Sequence, residues 1–170
     1  MSHSYDDCEV ISSTKVVELS DFIFERVLAR GGFGKVWLAK STRQGNDKLF
    51  AIKQIKKEQN LNKKSVDTLL NELHLMKRIK SDFVVNLNYA LQDDHNLYLV
   101  MDLMPGGDLW HQHWKNKGFE EPVCKFFIAC LILALEAVHA FGIVHKDIKP
   151  LNLVFDADGY LRLTDFGISK

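Results

Sequence analysis

From Phe22 onward the spacing of apolar and polar residues changes several times, and each change marks an element. In FIFERVLARGGFGKVWLAK, residues 22–40, β-branched and aromatic residues alternate with polar ones on both sides of a glycine-rich turn. This predicts two strands of a hairpin. KLFAIKQIKK, residues 48–57, reads as a third strand. Over 65–80 the period becomes helical, with Val66, Leu69, Leu70, Leu73 and Met76 at spacings of three and four. FVVNLNYALQDDHNLYLVMDL, residues 83–103, returns to strands, joined by the turn residues of DDHN. Two helices follow, the second opening at Glu120-Glu121-Pro122, where proline suits a first helical turn and the acids suit its positive end. Between Val123 and Val138 only Lys125 and Glu136 are charged. Sixteen such residues read as too short and too polar for a bilayer span, and a helix apolar nearly all round predicts a buried core helix. The last hairpin is LNLVF, a DADG turn, then YLRLT. Residues 1–20 are a polar leading arm with no internal pattern.

Composition narrows the class. At 170 residues, with 46% hydrophobic and 26% charged, the chain can bury one core and is about one domain. Twenty-two basic against twenty-two acidic residues leave no net charge, which removes any global argument for nucleic acid or an anionic membrane. Cys8, Cys124 and Cys130 form no paired framework and suit a reducing compartment. The opening MSHSYDDCEV lacks the basic segment and apolar core of a secretion signal. The expectation is a cytoplasmic or otherwise intracellular protein.

Candidate chemistry concentrates in HKDIKPLNLVFDADGYLRLTDFGISK, residues 145–170. Pro150 between Asp147 and Asn152 forbids a regular helix and favours a turned loop. The hairpin after it returns the chain to Asp165, so three oxygen-bearing side chains and the Lys149 ammonium converge. Asp and Asn oxygens are hard ligands of the kind Mg²⁺ takes, with phosphate oxygens completing its shell. Upstream, Gly31, Gly32 and Gly34 let backbone amides approach a ligand without obstruction. His111-x-His113 has the spacing of a metal pair, but no third ligand group accompanies it.

H-K-D-I-K-P-L-N followed by D-F-G resembles the catalytic loop and magnesium motif of protein kinases. The glycine-rich turn resembles that family's G-x-G-x-x-G-x-V, with Ala29 where the first glycine is expected and Gly31, Gly34 and Val36 matching. Alanine suits a strand, so stiffening rather than lost binding is expected. A-I-K at 51–53 resembles the strand whose lysine grips the α- and β-phosphates, and Glu72 the helix acid that pairs with it. PGGDLW, the F-x-E before the apolar helix and the SDF before the glycine loop look most like the AGC group of serine/threonine kinases.

The resemblance implies an α+β, protein-kinase-like fold: a complete N-lobe (twisted antiparallel sheet plus C-helix) over residues 21–104, then the first part of a mainly helical C-lobe over 105–170, ending after D-F-G. It implies ATP and Mg²⁺ as cofactors and proteins bearing Ser or Thr as substrates. Asp147 would orient the hydroxyl and accept its proton, Lys149 would neutralise the transferring phosphoryl, and Asn152 and Asp165 would hold magnesium. The nucleotide would be lined by Leu28, Ala29, Arg30, Gly31, Gly32, Phe33, Gly34, Lys35, Val36, Ala51, Lys53, Glu72, Met101 (as gatekeeper), Asp102 and Met104 (as hinge), Asp108 (at the ribose) and Val154.

Two departures stand out. Lys146 replaces the family's arginine, keeping the charge without the bidentate fork. Leu151 replaces a glutamate that reads a substrate arginine in many AGC members, which argues against a preference for basic substrates. The activation segment and later helices do not follow Lys170, so the apolar helix is expected to expose a surface where a protein partner could bind. Beside the kinase reading stand a nucleotide-binding module without turnover and a protein-interaction module.

Overall fold

A five-stranded antiparallel sheet stands above two helices and a small hairpin, and the polypeptide between them lines a cleft. The computed structural model describes residues 16–31, 34–43, 48–57 and 73–166. Strands β1 (Phe22–Gly31), β2 (Gly34–Ser41), β3 (Leu49–Lys56), β4 (Leu87–Gln92) and β5 (Asn96–Asp102) lie in the order β1-β2-β3-β5-β4. Residues 73–78 form helix α1, and the part of the expected helix before Leu73 lies outside the described residues. Helices α2 (Leu109–Asn116) and α3 (Glu121–His139) follow, then β6 (Leu153–Phe155) and β7 (Leu161–Leu163), which pair as the second sheet.

Alternation along the strands sorts side chains onto two faces. Phe50 and Ile52 of β3, with Tyr98 and Val100 of β5, join Phe22 and Ala39 in an outer cluster. Edge-on aromatic contacts stitch it, Phe22 to Phe50 at 5.7 Å and Phe24 to Trp37 at 5.8 Å between centroids. The opposite face sends Ile55, Leu99 and Met101 against Leu75 and Met76 of α1 and Ile79 just after it. That second cluster runs on through Val84 and Val85 to Leu161, Leu163 and Phe166, so one core continues from the sheet into the lower half. The join is also made by backbone: Val85 N donates to Leu163 O at 2.9 Å, and Leu163 N donates to Phe83 O at 2.9 Å.

The DDHN turn joins β4 to β5 as its chemistry suggested. Asp93 accepts from Tyr98 Oη at 2.7 Å and from the backbone N–H groups of His95 and Asn96. The Tyr98 hydrogen bond leads in holding its carboxyl down to about 2.

Helix α3 differs from expectation. Pro122 does sit in its first turn, but only Cys130, Ala134 and Val138 are buried, while Phe126, Ile128, Ile132 and Leu133 are exposed. The reason is geometric: a helix resting on the narrow β6–β7 sheet can cover one stripe, and small residues form the stripe that touches it. The length argument against a bilayer span also needs correction. At 19 residues α3 is long and apolar enough to cross a membrane by length and composition. In this fold its Cys130–Ala134–Val138 stripe is instead engaged in the core. Cys124 lies on another side of the helix, its Sγ directed at Phe119 O.

Candidate functional site

The cleft between sheet and lower half has a volume of about 570 Å³. Its roof comes from β1, β2 and β3, through Leu28, Ala29, Val36, Ala51 and Lys53. Its back wall is Met101 to Pro105, and its floor is Gly107, Asp108, Leu151, Asn152, Val154, Thr164 and Asp165. Twelve residues singled out from the sequence meet here: Leu28, Ala29, Val36, Ala51, Lys53, Met101, Asp102, Met104, Asp108, Asn152, Val154 and Asp165.

The glycine hairpin is positioned by pairing. Ala29 faces Val36 and Gly31 faces Gly34 across β1 and β2, and β2 in turn pairs with β3 so that Val36 lies opposite Lys53. Ala29 therefore adopts strand geometry, as a residue with a Cβ prefers. Gly34 carries φ +145°, and a Cβ there would sit 1.9 Å from Gln54 O. Its lack of a side chain is required by the close approach of β3, a reason distinct from access for a ligand. Arg30, Gly34 and Lys35 lie towards the hairpin tip and are not among the described residues that line the cleft, and Gly31 ends β1 at that tip. Gly32, Phe33 and Glu72 lie outside the described residues.

The lower half holds the polar cluster. Residues 150–152 make one 3-10 turn with Pro150 at its start. It returns Asn152 to the loop, where Asn152 Nδ2 donates to Asp147 O and to Asp147 Oδ2, both at 2.9 Å. Lys149 Nζ donates to the same Oδ2 at 2.6 Å. The Lys149 hydrogen bond leads in holding the Asp147 carboxyl below the usual carboxylate range, against the opposing effect of burial and with Asn152 adding to it. Among the described residues no donor reaches Asp147 Oδ1, so the two donors are both on Oδ2.

Buried His145 ties this loop to the strand that carries Asp165. Asp147 N–H donates to its Nδ1 at 3.3 Å, so Nε2 carries the hydrogen given to Thr164 O at 3.1 Å. Its ring packs edge-on against Phe166 at 4.9 Å. Burial leads in pushing the His145 pKa down, which matches a neutral imidazole used as a strut. Asp165 itself stands at φ +68°, in the left-handed region that aspartate tolerates at modest cost. From there its Oδ1 lies 3.8 Å from Lys53 Nζ on the roof.

At the mouth, Asp108 is the N-cap of α2, accepting from His111 N at 2.9 Å, and its other oxygen meets His111 Nδ1 at 2.7 Å. His111 is thus engaged by a carboxylate, and His113 packs beside Phe119. Among the described residues no group of three His, Cys, Asp or Glu side chains could hold a metal. Gly106 and Gly107 fasten the hinge end to β6, through Gly106 N to Phe155 O at 3.1 Å and Phe155 N to Gly107 O at 2.8 Å.

Several lining residues had no such role in the sequence reading. Arg26 shares the cleft with Leu28, and the two-residue period of a strand was the signal that could have found it. Val85 arrives through a long-range backbone pairing with β7, which no local pattern announces. Thr164 flanks Asp165, which was identified, and Met76 was read only as part of an apolar helical stripe.

Comparison with known proteins agrees with this geometry. The sequence profile of the protein kinase domain matches residues 22–170. A "probable serine/threonine-protein kinase" of Dictyostelium discoideum is 42% identical over 164 residues, covering 96% of this chain and 36% of that protein. The cAMP-dependent protein kinase catalytic subunit of Arthrobotrys oligospora is 40% identical over 152 residues, covering 89% of this chain and 29% of that one. The serine/threonine-protein kinase greatwall of Xenopus tropicalis is 39% identical over 152 residues, covering 89% of this chain and 17% of that one. The chain thus spans about a third or less of the length of these relatives. With its strand order, its cleft and its matched span in agreement, the chain belongs to the protein kinase domain family, among relatives that are serine/threonine kinases.

Proposed function

We propose that this protein binds ATP with Mg²⁺ in the cleft and transfers the γ-phosphoryl group to a Ser or Thr hydroxyl of a protein. Protein kinases generally use that pair. The observation that carries the reading is the clamp on Asp147: two donors on Oδ2, none from the described residues on Oδ1, and a carboxyl held ionised. Such a group is a weak base in bulk but a well-oriented acceptor for one hydroxyl proton. Phosphoryl transfer asks mainly for positioning and charge neutralisation.

In this reading the substrate oxygen, aligned by Asp147 Oδ1, bonds to the γ-phosphorus as the bond to the β–γ bridging oxygen breaks. The hydroxyl proton goes to Asp147, and ADP leaves with the bridging oxygen. Lys149, beside Asp147, neutralises the transferring group, and Lys53 steadies the α- and β-phosphates. The donor set fits Mg²⁺: with both Asn152 amide hydrogens given to Asp147, its carbonyl oxygen remains for a cation, and the Asp165 carboxylate is about half exposed to the cleft. Bound there, the ion would supply charge neutralisation across the phosphates.

Substrates with an arginine near the acceptor are not favoured, since the half-exposed Leu151 offers no carboxylate at the cleft edge. The protein acts inside the cell, where ATP is supplied, on protein substrates rather than nucleic acid or membrane. The exposed side of α3 is the surface on which a protein partner would bind.

The test is thermal unfolding with and without Mg-ATP. At a hundred times Kd, ligand adds about 2.7 kcal/mol to a binding-competent chain. A cooperative melt that rises with Mg-ATP, followed by phosphate appearing on a Ser/Thr protein substrate, supports the reading. Binding without transfer would reduce it to a nucleotide-binding module, and no response to Mg-ATP would remove it.

A further inference from the structure

The back wall of the cleft is held by two asparagines that no part of the transfer mechanism uses. Asp102 ends β5 and opens the stretch 102–105 that lines the cleft. Its carboxylate is gripped at both oxygens. Asn88 Nδ2 donates to Oδ1 at 2.9 Å, and Asn86 Nδ2 reaches Oδ2 at 3.3 Å. Its backbone is held too, because Asp102 N donates to Asn86 O at 3.2 Å.

Asn86 extends the grip to the loop that leaves α1. Its Nδ2 also donates to Ser81 O at 3.1 Å, and its Oδ1 accepts from Ser81 N at 3.3 Å. Asn88 can join in because the β4–β5 register shifts between Leu87 and Tyr89, at Asn88. In a regular ladder, alternation would give residues 86 and 88 no more than a face of the sheet. Here a local irregularity and two amides converge on one carboxylate.

Resting on the nucleotide reading above, we propose that Asn86 and Asn88 are positioning residues for base recognition: they fix the hinge backbone at Asp102 so that the cleft distinguishes adenine from guanine. At position 6 adenine presents an amino donor where guanine presents a carbonyl acceptor. Backbone groups can discriminate between these only if they cannot turn or shift to suit the wrong base. A fixed site leaves a mismatched polar group unpaired, which is where large discrimination comes from. Two side-chain latches and one backbone bond supply that fixity, and none of the three residues needs to touch the base with its side chain.

The experiment measures Kd for Mg-ATP and Mg-GTP, with melting temperature, in the wild-type protein and in Asn88→Ala, Asn86→Ala and their combination. The combined variant should lower the ATP-over-GTP preference about tenfold while Mg-GTP affinity, set by the phosphates, stays within two- to three-fold. Asn88→Asp sets a second carboxylate against Asp102 and should reduce the preference further. Adding Asp102→Asn to it recreates an amide–carboxylate pair and should restore the preference. This exchange also carries the test if Asn86→Ala fails to fold. A lowered melting temperature with an unchanged ATP-to-GTP ratio would make the asparagines purely structural and overturn the proposal. A wild-type protein that binds Mg-ATP but has no base preference would overturn it as well. A wild type that binds neither nucleotide would instead remove the nucleotide reading, and this inference with it.

Discussion

Lys53 Nζ and Asp165 Oδ1 face each other across the cleft at 3.8 Å, one from β3 in the roof and the other from the segment after β7. Two opposite charges at this distance, both partly exposed, attract only modestly, so the pair contributes little to stability. In the proposed function its value would be in placement: nucleotide phosphates entering between them would meet a cation above and, through magnesium, a carboxylate below. Lys53→Met should therefore weaken Mg-ATP binding at least tenfold while moving the melting temperature of the ligand-free protein by no more than a few degrees. Asp165→Asn should weaken the magnesium dependence of binding more than binding measured without metal. Isothermal titration with and without Mg²⁺ checks both. Equal Mg-ATP affinity in Lys53→Met would remove Lys53 from the site.

Asp147→Asn separates chemistry from binding. The substituted amide can still accept from Lys149 and Asn152 through its oxygen, so the loop should keep its shape. The negative charge that, in the proposed reading, would align the hydroxyl and take its proton is lost. Phosphoryl transfer to a protein substrate should fall by about 10²-fold or more, while Mg-ATP Kd stays within a few-fold. Loss of nucleotide affinity in this variant would mean that Asp147 shapes the binding site rather than the reaction.

Gly106 and Gly107 look interchangeable in the sequence, and the fold makes them different. A Cβ at Gly106 would lie 2.5 Å from Phe155 Cβ, in the middle of the backbone pairing that joins the hinge end to β6. Gly107 has φ +71° and open space around its missing Cβ. Gly107→Ala should cost only the left-handed backbone penalty, about 1–2 kcal/mol. Gly106→Ala carries no left-handed penalty but meets a steric conflict of about 1–3 kcal/mol on a well-packed neighbour, and it should also reduce nucleotide affinity, because Gly107 and Asp108 line the cleft. Chemical denaturation of the two variants side by side decides the ranking.

These contrasts show where sequence reading succeeds and why it stops. Strands β1–β3 and the β4–β5 and β6–β7 hairpins are legible because alternation and turn residues are local signals. Asp147, Asn152 and Asp165 are legible as a group because a proline turn and a short hairpin leave them few places to go. The asparagines behind Asp102 are not legible, since their contact depends on a register shift that no residue type announces. Nor is the open side of α3: its sixteen-residue apolar run says that it can be buried, but what covers each side depends on neighbours distant in the chain. His145 is legible as a motif letter, yet its work as a neutral strut depends on the Thr164 carbonyl nineteen residues away.

That strut gives the fold a pH dependence with a definite sign. His145 is almost completely enclosed, receives Asp147 N–H at Nδ1 and gives its own hydrogen to Thr164 O. Burial lowers its pKa in the folded state below that of an exposed histidine, about 6.5. Above about pH 6.5 the imidazole is neutral whether the chain is folded or unfolded, and the contribution is constant. As the pH falls below that value the unfolded chain takes up a proton that the folded chain resists, so stability drops until the folded pKa is reached. The slope from this one group is at most about 1.4 kcal/mol per pH unit. Protonation would also turn Nδ1 into a donor facing the Asp147 N–H, breaking the bond that orients the loop. Unfolding free energies between about pH 7.5 and 5.5 should therefore fall more steeply in the wild type than in His145→Gln, which cannot titrate. The variant starts less stable at the upper end, and the gap should narrow towards the lower end. Parallel curves would show that His145 keeps its ordinary pKa on folding, and that its buried contacts accept the charged ring as readily as the neutral one.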